Sequence, residues 1–133
     1  MIAFDTNLLV RAIVADQPEQ VALVKKLIAQ DTIFISRTVL LEAEWVLRAR
    51  YQKSRSDLLA FFSALLETDN TVVEDSEAIS HALEWYRLGA DFADALHLAV
   101  CNSAVLYTFD RDFCKAAREA GIAPEVKILY GPG

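Results

Sequence analysis

The sequence predicts an α/β fold, a three-layer α/β/α sandwich around a central parallel sheet of four to five strands. Three observations lead there. Short runs rich in β-branched and aromatic residues recur along the chain, and longer stretches of helical period separate them. Turn and capping residues fall at the junctions. Strands that alternate with helices are joined by crossovers, which gives a parallel sheet covered on both faces.

The elements follow in order. Residues 2–4 (Ile-Ala-Phe) read as a buried strand ending at Asp5, and Asn7 to Val14 as a helix. Pro18 suits the first turn of a second helix, which runs to Ala29 with Val21, Val24, Leu27 and Ile28 at helical spacing. Thr32 to Ile35 is the second strand. Ser36 or Thr38 caps a third helix reaching about Tyr51, and Ser54 or Ser56 opens a fourth, apolar over a wide arc from Leu58 to Leu66. Thr71 to Glu74 is a third strand. Asp75 or Ser76 caps a helix to about Leu88, ended by Gly89. A helix from Asp91 to Asn102, a strand from Ala104 to Thr108, a helix from Asp112 to Ala120 and a possible fifth strand from Glu125 to Leu129 complete the chain.

With 133 residues, 54% of them hydrophobic, residues 1–133 read as one domain able to bury a core. No apolar run reaches the roughly 18 to 20 residues of a membrane span. The opening Met1-Ile2-Ala3-Phe4-Asp5 lacks the basic region of a signal peptide. Cys101 and Cys114 have no metal-ligand or disulfide spacing and read as reduced thiols of a cytoplasmic protein. The net charge of −6, from 19 acidic and 13 basic residues, has the wrong sign for nonspecific binding to a polyanion. It is acceptable if several acids hold divalent ions, and it suits a basic protein partner.

The acids are therefore the informative residues. Ligands of open parallel sheets gather at the carboxyl ends of the strands. Asp5 directly follows the first strand, and Asp110 lies two residues past Thr108 at the end of the fourth. Asp91 and Asp94 share the first turn of a helix, where Asp91 also suits an N-cap; Glu42 and Glu44 point different ways from the third helix, with Glu44 read as the solvated one. Clustered carboxylates repel one another unless a hard cation sits among them, and Mg²⁺ prefers such oxygen ligands with water and phosphate. That chemistry is assigned to Asp5, Glu42, Asp94 and Asp110, as metal ligands and catalytic residues. Arg11 and Arg111 are the nearest candidates for substrate contact, and Arg48, Arg50, Lys53 and Arg55 form the densest basic stretch. Trp45 and Trp85 read as core or interface residues; His97, three residues after Asp94, reads as a structural helix histidine with assistance to proton transfer as the alternative, and His81 as an ordinary helix position.

Four ordered motifs carry a resemblance: Ile2-Ala3-Phe4-Asp5-Thr6-Asn7; Leu41-Glu42 followed by Trp45-Val46-Leu47; Ala90-Asp91-Phe92-Ala93-Asp94-Ala95-Leu96; and Thr108-Phe109-Asp110-Arg111-Asp112-Phe113. Together they resemble the PIN-domain ribonucleases, and among these the VapC-type toxins of bacterial toxin–antitoxin pairs. The resemblance places the family's four acids on Asp5, Glu42, Asp94 and Asp110, with Asp112 auxiliary in the last motif and Thr6 and Asn7 supporting the first. It implies Mg²⁺ (or Mn²⁺), endonucleolytic hydrolysis of RNA phosphodiesters by metal-activated water, and inhibition by a cognate antitoxin that itself carries any contact with operator DNA. The apolar arc of the fourth helix, beside Leu8, Leu9, Val21 and Val24, suggests a homodimer and an antitoxin groove. Two other classes are weighed: an inactive PIN-fold interaction module, and a phosphoaspartate phosphatase or receiver-like domain. The phosphatase would need an acid where Asn7 stands.

Overall fold

The elements lie close to where local chemistry puts them, in a computed structural model that describes residues 1–131. In chain order they are β1 (Ile2–Ala3), α1 (Thr6–Val14), α2 (Pro18–Gln30), β2 (Ile33–Ile35), α3 (Arg37–Ala49), α4 (Arg55–Leu66), β3 (Thr71–Val73), α5 (Ser76–Arg87), α6 (Phe92–Ala99), β4 (Leu106–Thr108), α7 (Lys115–Glu119) and β5 (Val126–Ile128). Backbone contacts divide the chain into two units, Met1–Ser76 and a second from Glu77 onward.

In the first unit β1, β2 and β3 pair in parallel with β2 central, Ile2 opposite Ile33 and Ile35 opposite Val73. The ladder continues past the strand ends, where the N–H of Phe4 donates to Phe34 O at 3.1 Å and that of Glu74 to Ile35 O at 2.9 Å. Buried Ile33 and Ile35 flank half-buried Phe34, the alternation of a strand with one face in the core. The helices start on side-chain caps. Ser36 accepts from Val39 N, and Ser54 and Asp57 cap each other reciprocally. Ser54→Ala removes half of that box and should lower stability by about 1 kcal/mol, read as a shift of the urea midpoint at unchanged slope. Of the wide apolar arc of α4, Leu58 and Phe62 are fully buried, and Leu59, Phe61, Leu65 and Leu66 are half-buried.

In the second unit β4 and β5 pair in parallel, Leu106 opposite Val126 and Thr108 opposite Ile128. A core of Ala82, Trp85, Ala95, Leu98, Phe113 and Ala117 joins α5, α6 and α7. Helix α5 ends in a Schellman motif: Ala90 N–H donates to Trp85 O and Gly89 N–H to Tyr86 O. Gly89 supplies the φ of 109° that this turn requires.

One expectation is met in part and two need correction. The sheet expected to hold four to five strands is, among the described residues, a three-stranded ladder and a separate two-stranded one. Strands of two and three residues offer few ladder bonds, and sequence patterning does not say which neighbours they join. Helix α6 stops at Ala99 rather than Asn102, because Val100 N–H turns back to both Leu96 O and Leu98 O, and Asn102 is left-handed at φ 55°. Helix α7 starts at Lys115 rather than Asp112, because residues 111–114 form a turn and Cys114 is left-handed at φ 46°.

Candidate functional site

Asp5 stands at the end of β1 as the N-cap of α1, its Oδ1 accepting from Leu8 N at 2.9 Å. A carboxylate has a second oxygen, so capping and ligation are compatible. Thr6 and Asn7, the next two residues, line a cavity of about 360 Å³ together with Glu42, Arg11, Trp45, Arg50 and Tyr51. Helices α1 and α3 form its walls. Arg11 donates through Nη1 to Asp16 at 3.2 Å and to the Tyr51 hydroxyl at 3.1 Å, while its buried Nε has no acceptor among the described residues.

Glu42 is exposed and Glu44, two residues on, is only 3% exposed. The expectation that Glu44 would be the solvated one is therefore reversed. Glu44 accepts from Arg48 Nε at 2.8 Å, and that ion pair offsets the burial of its charge. The spacing held this signal: Glu44 is four residues after Leu40 and three before Leu47, both fully buried. Of the core and interface positions expected for the two tryptophans, Trp45 does not take the core one. It is 50% exposed with the Arg50 guanidinium 5.8 Å from its ring centre, whereas Trp85 is a core residue as expected.

The second unit holds the other acids. Asp91 caps α6 by accepting from Asp94 N at 3.0 Å, which fixes Asp94 in the first helical turn. Asp110, just past β4, is set by a turn: its N–H donates to Thr108 Oγ1, and its Oδ1 accepts from Asp112 N at 2.9 Å. Burial raises the Asp94 carboxyl above its ordinary pKa, and the charges of Asp91 and Asp110 raise it further, against a smaller opposite pull from His97. The same three acids act on Cys114, whose buried thiol is pushed up to about 11, chiefly by desolvation. That thiol is neutral and unreactive at physiological pH, as a core cysteine should be. Asp112 serves through its backbone N–H rather than as one of the charges acting on Asp94. Arg111 lies against Tyr130, its guanidinium 5.1 Å from the ring centre.

Asp91, Asp94 and Asp110 are thus brought within electrostatic reach of one another, and Glu42 is brought beside Thr6, Asn7 and Arg11. Among the described residues, no three His, Cys, Asp or Glu side chains are gathered closely enough to hold a metal ion. Mg²⁺ usually takes only one or two carboxylates, with water and substrate phosphate completing its shell. The residues fit such an ion on chemistry: Asp94 and Asp110 are hard oxygen donors, and their repulsion is the penalty that a divalent cation removes.

No described helix is long and apolar enough to cross a membrane. Among curated proteins no relative matches the chain. The PIN domain model matches residues 2–119, from the first strand to the last helix. PIN domains have an α/β fold, typically use divalent metal ions and are generally nucleases. A match of that extent, over the acids at the ends of β1 and β4, shows that the chain belongs to the PIN domain family.

Proposed function

We propose that the chain is an Mg²⁺- or Mn²⁺-dependent endoribonuclease, the VapC-type toxin of a toxin–antitoxin pair, restrained by a cognate antitoxin. The observation that carries the nuclease reading is the PIN domain match over residues 2–119, which spans the acids at the ends of β1 and β4 and the Asp91–Asp94 turn of α6. A protein that keeps opposed carboxylates together gains from a cation between them. When bound, a divalent ion lowers the pKa of water and stabilises charge developing on phosphoryl oxygens.

The chain's own residues have separate tasks in this reading. Asp94 and Asp110 hold the ion, and Asp91 fixes Asp94 through the helix cap. Asp112 fixes Asp110 through its N–H. Asp5 and Glu42 act in the same reaction as the remaining acids of the family pattern, supported by Thr6 and Asn7. Arg11 and Arg111 supply positive charge for the RNA backbone. The toxin role rests on the four ordered sequence motifs. The net charge of −6 suits a basic antitoxin, and operator DNA is reached only through that partner. A homodimer in the cytoplasm completes the proposal.

The test is incubation of purified protein with structured RNA in Mg²⁺ or in EDTA, beside Asp5→Asn. Asparagine caps a helix as well as aspartate does, so Asp5→Asn should leave the melting temperature nearly unchanged. Cleavage should require the metal and fall by a factor of roughly 100 in the variant. Metal-independent cleavage, or an Asp5→Asn variant as active as the parent, contradicts the reading.

A further inference from the structure

The turn that carries Asp110 is held from outside by Arg118. Residues 111–114 lie between β4 and α7 without a ladder, so their backbone carbonyls need partners from elsewhere. Successive turns satisfy two in this stretch: Asp110 O accepts from Phe113 N at 3.2 Å and Asp112 O from Lys115 N at 3.1 Å. The carbonyls of Arg111 and Phe113 instead accept from the Arg118 guanidinium, through Nη2 at 2.6 Å and Nε at 2.7 Å. One planar fork thus grips the chain on both sides of Asp112. In a chain with 19 acidic residues, this half-buried guanidinium engages neutral carbonyls. The turn needs the grip. Cys114 holds a φ of 46°, which a residue with a Cβ resists, and such a conformation persists only where its surroundings over-determine it. Phe113 in the core is one anchor and Arg118 is the other.

The grip reaches Asp110 through a single peptide group. Arg111 C=O and Asp112 N–H belong to one planar unit, so fixing the oxygen fixes the direction of the N–H. That N–H donates to Asp110 Oδ1 at 2.9 Å. A cation on the carbonyl also polarises the peptide and strengthens its N–H as a donor. We propose that Arg118 is a positioning residue of the acid site, its guanidinium clamping the Arg111–Asp112 peptide and thereby setting the Asp110 carboxylate. The proposal rests on the nuclease reading and deepens it by naming a residue, outside the four sequence motifs, on which the geometry of one acid depends.

Two measurements on the full chain test it. Amide exchange followed by NMR in EDTA reads the clamp itself. Arg118→Met, which keeps an apolar stem, should speed exchange at Asp112 N–H roughly ten-fold, with the amides of α6 near parent values. Calorimetric titration with Mn²⁺ reads the consequence. Arg118→Met should weaken binding roughly ten-fold, and Arg118→Lys, a charge without the fork, should fall closer to Arg118→Met than to the parent. Added to Asp110→Asn, Arg118→Met should cause no further loss, because its effect runs through Asp110. Arg87→Met, which removes an exposed arginine paired with Glu84 on α5, should match the parent in both measurements. Should Arg118→Met fail to fold, Arg118→Lys carries the same two readouts. A role in packing alone would lower the melting temperature and leave Asp112 exchange and Mn²⁺ affinity at parent values. That result, or losses that add in full in the double variant, overturns the proposal. If the parent binds no Mn²⁺ the nuclease reading falls, and Asp112 exchange alone then decides the clamp.

Discussion

Asp94→Asn is expected to lower metal-dependent RNA cleavage roughly 10²- to 10³-fold while making the metal-free protein more resistant to heat. Both effects come from one cause. Burial and the charges of Asp91 and Asp110 make the folded chain hold the Asp94 proton more tightly than the unfolded chain does. A carboxyl raised in this way contributes stability that is fully present below its ordinary value. That contribution is lost as pH rises through its higher folded value. At neutral pH the charged Asp94 therefore works against folding, and the amide relieves it without leaving the helix. Melting curves in EDTA from acidic to neutral pH should slope downward more steeply for the parent than for Asp94→Asn. Mg²⁺ at a hundred times its Kd should add about 2.7 kcal/mol to the parent and much less to the variant. A variant that melts below the parent in EDTA at neutral pH would contradict this account.

Phe92→Ala should be the most damaging single change to the fold of the second unit, at roughly 3–5 kcal/mol. Phe92 opens α6, is 1% exposed, and meets the Tyr86 ring edge-to-face with centres 5.5 Å apart. Truncation leaves a cavity and removes the aromatic pair, which adds about 0.5–1.5 kcal/mol beyond area alone. The consequence reaches the chemistry, because Phe92 lies between the cap Asp91 and the ligand candidate Asp94. A melting temperature lowered by roughly 10 °C or more and a loss of cleavage should appear together. Phe92→Leu, closer in volume, should cost under about 1.5 kcal/mol and retain cleavage. Equal stability of Phe92→Ala and the parent would mean that the ring does not anchor the helix.

How far the sequence was legible depends on the range of the interaction. Caps are local, and Ser36, Ser54 and Asp91 all sit at the helix starts where hydroxyl or carboxylate chemistry favours them. Strand positions are legible for the same reason, since Ile33-Phe34-Ile35 and Thr71-Val72-Val73 stiffen their own backbone. Pairing of β4 with β5 apart from the other three strands is non-local, and no pattern of side chains specified it. The orientation of α3 was half legible. Its buried Leu40, Ala43 and Leu47 define an inward stripe that carries Glu44 with it, and the charge is tolerated there because Arg48, one turn on, pairs with it. Residue type alone left Trp45 between core and interface, and the half-exposed ring beside Arg50 excludes the core. The acids at the ends of β1 and β4 followed from strand topology, whereas the field that Asp91 and Asp110 exert on Asp94 required coordinates.

The central claim is that the Asp94 carboxylate and its neighbours seat a divalent cation. Calorimetric titration with Mn²⁺, in the absence of RNA, measures this on the parent chain beside Asp94→Asn and Asp110→Asn. The account predicts saturable binding by the parent, weakened roughly 10- to 100-fold in each variant. No saturable binding by the parent, or binding by both variants as tight as the parent's, would contradict it.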